Sequence, residues 1–252
     1  EKKENKFTPN EISEDKKISL RPKKITEFVG QDNIKSNLKT FIESSIKTKK
    51  NLDHIILYGP PGLGKTTLAN IISYEKNVNI HVTSGPAFTK KGDLVTLLSN
   101  LSNGDILFID EIHRLNKISE EVLYSAMEEY RVSWIIDEGL KSRSVNLGIQ
   151  PFTLIGATTK YGNLSPPLRD RFGSIFRLDF YTNAEMTEIL HRSSQIFKIK
   201  TEKKGLSQIA IRSRKTPRIG NRLLRRVRDY SEVKSDGSIS LKVVLRALEQ
   251  LE

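Results

Sequence analysis

Residues 59–66 read GPPGLGKT, which matches the phosphate-loop pattern G-x-x-x-x-G-K-[ST] without a gap. The apolar residues 54–58 before this stretch predict a buried strand, and residues 67–72 after it predict a helix. Glycines let the backbone bend so that successive N–H groups point at phosphate oxygens, and the helix adds its positive N-terminal end. The motif therefore favours an α/β fold in which a strand, a phosphate-binding loop and a helix follow one another.

Four further side chains supply chemistry around that loop. Lys65 is expected to reach the β- and γ-phosphates, and Thr66 to place its hydroxyl on Mg²⁺. The apolar run 106–109 is typical of a central parallel strand, and it ends in Asp110 and Glu111. Because successive side chains on a strand point in opposite directions, Asp110 can face Mg²⁺ while Glu111 faces the attacking water. The pattern predicts hydrolysis of a nucleoside triphosphate; two solvated acids at a strand end are the alternative.

Strands and helices alternate through the first two thirds of the chain. The predicted strands are 54–58, 78–83, 105–109, 152–156 and 174–179, and the predicted helices between them are 65–75, 92–101 and 118–129. An amphipathic helix from Lys23 to about Lys50 precedes them, with apolar residues at helical spacing: Ile34, Leu38, Phe41, Ile42 and Ile46. This alternation predicts a parallel sheet between helices, with the ligand at the carboxyl ends of the strands.

After Tyr181 the pattern is entirely helical. Helices are predicted over 184–196, 203–213, 217–229 and 241–251, with Ser240 as the cap of the last one. Asp236-Gly237 marks the turn before it. These residues predict a small helical second domain.

Residues 131–150 alternate differently. Val132, Trp134 and Ile136 are separated by small or polar positions, a turn signal follows at 137–139, and residues 145–147 can return as a second strand. We predict a β-hairpin here. Trp134 is either a core residue of that hairpin or an exposed docking residue.

Three positions suit an oligomeric ATPase. A buried strand ends in the two hydroxyls of Thr158 and Thr159, which can hold the attacking water or sense the γ-phosphate, or simply form a polar cap on the strand. Residues 168–172, which contain Arg169 and Arg171, follow a Pro-Pro pair; an arginine there can reach the nucleotide of a neighbouring subunit, or pair internally with Asp170 or Asp179. Arg218 lies in the first turn of a helix that begins at Thr216-Pro217, where it projects toward the site or remains one exposed arginine.

Charge and composition narrow the class of protein. The net charge is +12, and residues 198–228 hold twelve Lys or Arg against one acid. That basic block is a binding surface for phosphate or nucleic acid, or a solvated face, or a surface that meets an acidic neighbouring subunit. The chain has no cysteine, which excludes disulfides and thiol chemistry. Residues 1–17 resemble no signal peptide, and no apolar run approaches the length of a membrane span, so we expect a cytoplasmic protein.

Longer stretches carry a resemblance to a family. They are GPPGLGKTTLANII, VTSGP, LFIDEIHRLN, PFTLIGATT, SPPLRDRFG, DFYT and TPRIGNRLLRRVRD. From about Leu20 to its last residue the chain resembles the RuvB family of AAA+ ATPases, the motors of Holliday junction branch migration. The resemblance implies an α/β fold: a P-loop AAA+ core with a central parallel five-stranded sheet and a presensor β-hairpin, then a small all-helical lid. It also implies a flexible arm over 1–19, a large ATPase domain over 20–182 and the lid over 183–252.

The resemblance assigns roles to individual residues of this sequence. It implies ATP or ADP and Mg²⁺ as ligands, with Thr66 and Asp110 on the metal. The implied catalytic residues are Lys65, Asp110, Glu111, Thr159 as first sensor and Arg171 as a finger acting on the neighbouring subunit. The implied nucleotide-binding residues are Leu20, Arg21 and Tyr181 near the adenine, Gly62, Gly64, Lys65, Thr66 and Thr67 at the phosphates, and Arg218 as second sensor.

The implied partners are five further copies in a hexameric ring, duplex or junction DNA, RuvA at the hairpin 131–150, and RuvC as a further candidate. This sequence departs from the family pattern in two places. RuvB proteins carry a C-terminal winged-helix domain that grips DNA, which the residues up to Glu252 do not include, so either the chain is truncated or that grip is absent. The hairpin tip Asp137-Glu138-Gly139-Leu140 is acidic where the family carries a basic one, so we expect altered RuvA docking.

A different class of function also fits the motifs. The favoured hypothesis is an ATP-driven DNA motor. The alternative is a clamp-loader-like or regulatory nucleotide switch that hydrolyses its nucleotide slowly. If Arg171→Ala subunits are mixed into a ring and the activity falls by more than their fraction of the subunits, the motor is favoured.

Overall fold

The computed structural model describes residues 19–135 and 144–250. They form two compact units. The first comprises Pro22–Thr182 together with Thr216–Arg218, and the second comprises Asn183–Lys215 and Ile219–Glu252 with the residues that precede Pro22. Within the described residues, no helix is both long enough and apolar enough to cross a membrane.

The elements follow the predicted alternation. The strands are β1 (Ile55–Tyr58), β2 (Ile80–Ser84), β3 (Ile106–Asp110), β4 (Arg131–Ile135), β5 (Ser144–Gly148), β6 (Thr153–Thr158) and β7 (Ser174–Arg177). The helices are α1 (Asp32–Thr48), α2 (Lys65–Lys76), α3 (Lys91–Ser99), α4 (Lys117–Glu129), α5 (Pro166–Asp170), α6 (Asn183–Ile196), α7 (Lys203–Arg212), α8 (Pro217–Lys234) and α9 (Leu241–Glu249).

Five strands form one parallel sheet in the order β2-β3-β6-β1-β7. The central strands consist of continuous apolar runs because both of their faces are covered; every residue of β6 is buried. Gly156 on β6 has a packing reason, since a Cβ there would lie 2.9 Å from Ile112 and 3.0 Å from Ile56. The predicted five-stranded parallel sheet is confirmed, and its carboxyl edge carries the loops that build the site.

The second unit contains α6, α7, α9 and most of α8. Ser240 caps α9 by accepting the Val243 N–H, as predicted. Helices α6 and α8 pack closely at Gly220, where a Cβ would lie 2.7 Å from the Met186 methyl carbon. The small all-helical domain predicted from the sequence is confirmed.

The first predicted helix was wrong at its start. Residues Ile25–Glu27 form a 3-10 turn, and α1 begins only at Asp32. Gly30 and Gln31 both have positive φ angles, which interrupt any continuous helix. Two of the apolar residues at helical spacing are exposed rather than buried, Phe41 at 38% and Ile46 at 55%.

The hairpin prediction is confirmed for its two strands. β4 and β5 pair antiparallel, with Val132 opposite Leu147. Val132 is fully buried. The acidic tip and the side chain of Trp134 lie outside the described residues, so the two roles considered for Trp134 stay open.

Candidate nucleotide-binding site

The phosphate loop joins β1 to α2 through glycines that no other residue can replace without strain. Gly62 has a φ of +82° and Gly64 a φ of +105°. A Cβ on Gly62 would lie 2.7 Å from the Thr216 methyl carbon and 3.0 Å from Arg218 Cβ. The predicted loop residues and the predicted second sensor therefore lie against each other within one unit.

Lys65 begins α2 and turns its amine back into the loop. Its Nζ donates to the carbonyl oxygens of Gly59 and Pro60, each at 2.8 Å, and the residue is only 8% exposed. Burial lowers the pKa of this amine; the Asp110 carboxylate opposes that shift and the Arg218 cation adds to it. The loop thus holds an ammonium group where a phosphate oxygen can replace a carbonyl as its acceptor.

Thr66 and Thr67 occupy the first turn of α2, and both are half-buried. The main-chain N–H groups of such a turn have no partners within the helix and carry its positive end. These residues lie where phosphate oxygens can accept from the helix N-terminus.

The predicted metal ligands are a hydroxyl on Thr66 and a carboxylate on Asp110, the last residue of β3. Oxygen donors of this kind suit Mg²⁺, which is commonly held by one or two carboxylates together with substrate phosphates and water. Across the described ranges, no cluster of three or more His, Cys, Asp or Glu side chains could hold a metal without such help. The donor set fits Mg²⁺ that arrives with a nucleotide.

Glu111 does not follow the strand alternation that the sequence analysis assumed. β3 ends at Asp110, and Glu111 has a φ of 48° in the left-handed region. Asp110 Oδ1 accepts the Glu111 N–H at 2.9 Å, and the Glu111 carboxylate accepts from Arg114 Nη1 at 2.9 Å. The reason given for its direction was therefore wrong: a tight turn sets the orientation of Glu111, and Arg114 holds its carboxylate.

The two hydroxyls at the end of β6 differ sharply. Thr158 is 1% exposed; its Oγ1 accepts the Lys160 N–H at 2.9 Å and shares a hydrogen bond with His113 Nδ1, also at 2.9 Å. Burial lowers the pKa of His113. Thr159, the predicted sensor, follows immediately and is exposed. Thr158 is thus engaged within the protein, whereas Thr159 remains accessible to a ligand.

Arg171 directly follows the short helix α5 as its C-cap, and Ser165 caps the N-terminus of that helix. Arg171 makes an internal ion pair, although with neither of the acids considered from the sequence. Its Nη2 lies 3.1 Å from Glu128 on α4, while Asp179 pairs with Arg177 at 3.2 Å.

Two aromatic side chains, Tyr181 and Phe28, lie against the phosphate loop. Tyr181 is buried and donates its hydroxyl to the Leu63 carbonyl oxygen at 3.0 Å. The ring of buried Phe28 lies 3.1 Å from where a Gly64 Cβ would stand. The sequence analysis missed Phe28 because it placed this residue inside the first helix. Leu20 and Arg21 belong to the other unit, so their position at the adenine stays a prediction.

The basic block is partly engaged within the helical unit. Arg228 pairs with Asp229 at 2.9 Å, and the guanidinium groups of Arg225 and Arg228 lie 5.7 and 5.2 Å from the centre of the Phe197 ring. Some of its charge therefore stabilises the unit itself. Both roles considered for the block stay open.

Comparison with known proteins places these elements in a family. Residues 20–178 match the model of the Holliday junction DNA helicase RuvB P-loop domain, and residues 181–252 match the RuvB AAA lid domain. Over 240 residues the chain is 50% identical to the Holliday junction branch migration complex subunit RuvB of Acholeplasma laidlawii, covering 95% of this chain and 71% of that protein.

Solved structures agree. The Thermotoga maritima RuvB Holliday junction branch migration motor superposes with a TM-score of 0.83 at 49% identity, covering 92% of this chain and 73% of that one. A single-residue mutant of the same protein gives a TM-score of 0.85 over the same shares of the two chains, again at 49% identity. With a P-loop core and a helical lid that both match, this chain belongs to the RuvB family of AAA+ ATPases.

Proposed function

We propose that this chain is the ATP-hydrolysing motor subunit of a Holliday junction branch migration complex, acting in the cytoplasm as a ring of six around duplex DNA. The observation that carries the proposal is the buried Lys65 amine, held in the loop by two carbonyl oxygens beside the Asp110 carboxylate. A buried ammonium next to a helix N-terminus is suited to polyphosphate. Family membership then selects the motor over the nucleotide switch.

The residues of the site divide the work of phosphoryl transfer. Lys65 and the amides of Gly62, Gly64, Thr66 and Thr67 hold the phosphates. Mg²⁺, held by the Thr66 hydroxyl and Asp110, neutralises phosphate charge when bound. The Glu111 carboxylate orients the attacking water once it leaves Arg114. The exchange is inexpensive because ion pairs between exposed side chains contribute little free energy.

Sensing and coupling use residues around this centre. Thr159 contacts the γ-phosphate or the attacking water, and Arg218 contacts the phosphates from the first turn of α8. Leu20, Arg21 and Tyr181 bind the adenine. Arg171 acts on the nucleotide of the adjacent subunit, so hydrolysis in one subunit depends on the position of the next.

The partners follow from the same family. RuvA binds the hairpin 131–150, and the basic block faces DNA or an acidic neighbouring subunit. RuvC is a further candidate partner at the junction.

ATP hydrolysis by the full chain in the presence of RuvA and a four-way DNA junction tests the motor function. We expect junction and RuvA together to raise the hydrolysis rate severalfold over protein alone, because a motor couples turnover to its track. A rate that is the same with and without junction and RuvA contradicts the proposal and favours a slow nucleotide switch.

A further inference from the structure

Arg171 is held in place by two side chains of α4. Its Cζ lies 4.5 Å from the centre of the Tyr124 ring, and its Nη2 donates to Glu128 Oε2 at 3.1 Å. Its Nη1 donates to the Pro167 carbonyl oxygen at 2.7 Å. The Arg171 side chain is 22% exposed. A long cation beside solvent would otherwise sample many rotamers, so these contacts restrict where its guanidinium can be.

The tyrosine under Arg171 is itself fixed. Its hydroxyl donates to Glu120 Oε2 at 2.9 Å and lies 3.1 Å from Ser165 Oγ. Ser165 also donates to Glu120 Oε2, at 2.8 Å, and caps α5. Tyr124 therefore joins α4 to the helix that carries Arg171.

The spacing on α4 produces this platform. Glu120, Tyr124 and Glu128 stand four residues apart, which places all three on one face of the helix. The first anchors the ring, the second provides the surface for the guanidinium, and the third pairs with its charge. We define the Arg171 platform as Tyr124 and Glu128.

The guanidinium keeps unused donor capacity on this platform. An arginine has five N–H groups, and Arg171 Nε is buried without a hydrogen-bond partner among the described residues. An unpaired buried donor is unfavourable, so the contacts of Arg171 hold its side chain in place without satisfying all of its hydrogen-bonding groups. The side chain is thus ordered but incompletely satisfied.

We propose that Tyr124 and Glu128 are positioning residues, which hold Arg171 at the subunit surface so that its guanidinium meets the nucleotide of the adjacent subunit. This inference rests on the proposed function, in which Arg171 acts on a neighbour. Misplacing a catalytic group by about 1 Å can cost roughly 10²-fold in rate, so a side chain that crosses a subunit boundary benefits from a fixed starting position.

A complementation assay with the full chain separates the two subunits of one interface. Lys65→Ala subunits keep Arg171 but lose their own site, and Arg171→Ala subunits keep their site but lose the finger. Each should be nearly inactive alone, and mixing should restore basal ATP hydrolysis, measured without junction DNA, at interfaces that combine the intact halves.

The substitutions at Tyr124 and Glu128 are then introduced into one of the two subunit types at a time. In the Lys65→Ala subunit, Glu128→Gln or Tyr124→Leu should lower the restored kcat about 5- to 30-fold with an unchanged KM for ATP. Placed in the Arg171→Ala subunit, the same substitutions should change kcat by less than about twofold, since no finger is left to position. Tyr124→Phe, which keeps the ring, should retain most of the activity.

Glu129→Gln is the matched control, because it removes the same charge from an exposed neighbour of Glu128. It should have no effect in either partner. Glu128 is also exposed, so Glu128→Gln should fold normally, as thermal melting can verify.

The outcomes are distinct. Equal losses in both partners indicate a merely structural role and overturn the inference, as does an unchanged or increased kcat with Glu128→Gln in the Lys65→Ala subunit. If the unmodified pair fails to complement at all, the action of Arg171 on a neighbouring subunit fails, and the inference fails with it.

Discussion

The phosphate loop and the Arg171 platform, which we propose to serve one reaction, are built differently. The loop is a single continuous stretch shaped by main-chain geometry, with positive φ angles at Gly62 and Gly64. The platform consists of two side chains of α4, and the ion pair between Glu128 and Arg171 joins residues 43 positions apart. One part of the site is thus formed by residues adjacent in the sequence, and the other part by residues that are distant in the sequence and meet through tertiary packing. Substitutions should therefore affect the two halves through different physical terms.

Removing the loop cation should have the largest effect. We expect Lys65→Ala to lower ATP hydrolysis by about 10²- to 10³-fold, because it removes a preorganised positive donor from the developing phosphate charge. Steady-state hydrolysis at saturating ATP measures this. The variant should remain folded, since the lost amine is a desolvated cation rather than an apolar core group. A loss below tenfold contradicts the assigned role of Lys65.

Changing the main chain of the loop should rank second. Gly62→Ala places a Cβ 2.7 Å from the Thr216 methyl carbon at a φ of +82°, so we expect a loss of about 1–3 kcal/mol in unfolding free energy. Denaturant titration measures this loss, and nucleotide affinity should fall with it.

Gly162→Ala is the matched control for that variant, because nothing lies within 4 Å of a Cβ at this position. It should leave stability within about 0.5 kcal/mol. Equal effects of the two substitutions would show that loop geometry is not what selects glycine at position 62.

Loosening the platform should cost less stability than altering the loop. Tyr124→Phe removes a hydroxyl that contacts Glu120 and Ser165, so we expect a loss of about 1 kcal/mol in unfolding free energy. Thermal or denaturant unfolding measures this. Glu128→Gln should change stability by less than about 1 kcal/mol, because ion pairs between partly exposed groups contribute little. A loss above 3 kcal/mol for Glu128→Gln would make the platform a folding element.

We expect the smallest effect on stability from a residue that connects the strand before the phosphate loop to α4. His54 precedes β1; its Nδ1 accepts the Leu154 N–H at 2.9 Å, and its Nε2 lies 3.2 Å from the Met127 carbonyl oxygen on α4. Burial lowers the pKa of His54. The lowered pKa favours the neutral ring in the folded chain, and protonation of Nδ1 would remove the acceptor of the Leu154 N–H.

The direction of the pH effect follows from that shift. Below about pH 6.5 the unfolded chain binds a proton at His54 that the folded chain does not, so stability falls as pH falls. We expect the slope to reach at most about 1.4 kcal/mol per pH unit from this one group. Unfolding curves between pH 7 and 5 measure this slope, and it should decrease in His54→Gln. An unchanged slope would show that another group titrates in that window.

The same contrast explains what the sequence could predict. The loop, the five-stranded parallel sheet and the helical lid are encoded in local patterns, and the structure confirms them. The start of α1 was misplaced because apolar periodicity continued past the positive φ angles at Gly30 and Gln31. The reason given for the direction of Glu111 was wrong because strand alternation does not apply beyond Asp110, where β3 ends.

Contacts between side chains that are distant in the chain could not be predicted from the sequence. Nothing in the spacing of residues 124, 128 and 171 shows that they meet, because their proximity depends on how α4 and α5 pack. Phe28 was missed for a similar reason, since its ring reaches Gly64 only after the chain has turned. Local patterns predicted the phosphate-holding half of the site, and tertiary packing determined the rest.

The central claim is that ATP hydrolysis occurs in a ring whose subunits depend on one another through Arg171. The most direct measurement is junction-stimulated ATP hydrolysis by mixtures of wild type and Arg171→Ala at constant total protein. The rate should fall faster than the wild-type fraction, because turnover on a junction passes from one interface to the next around the ring and a missing Arg171 interrupts it; an equal mixture should retain well under half of the wild-type rate. A rate that follows the wild-type fraction in a straight line would contradict this dependence around the ring and indicate that each interface hydrolyses ATP on its own.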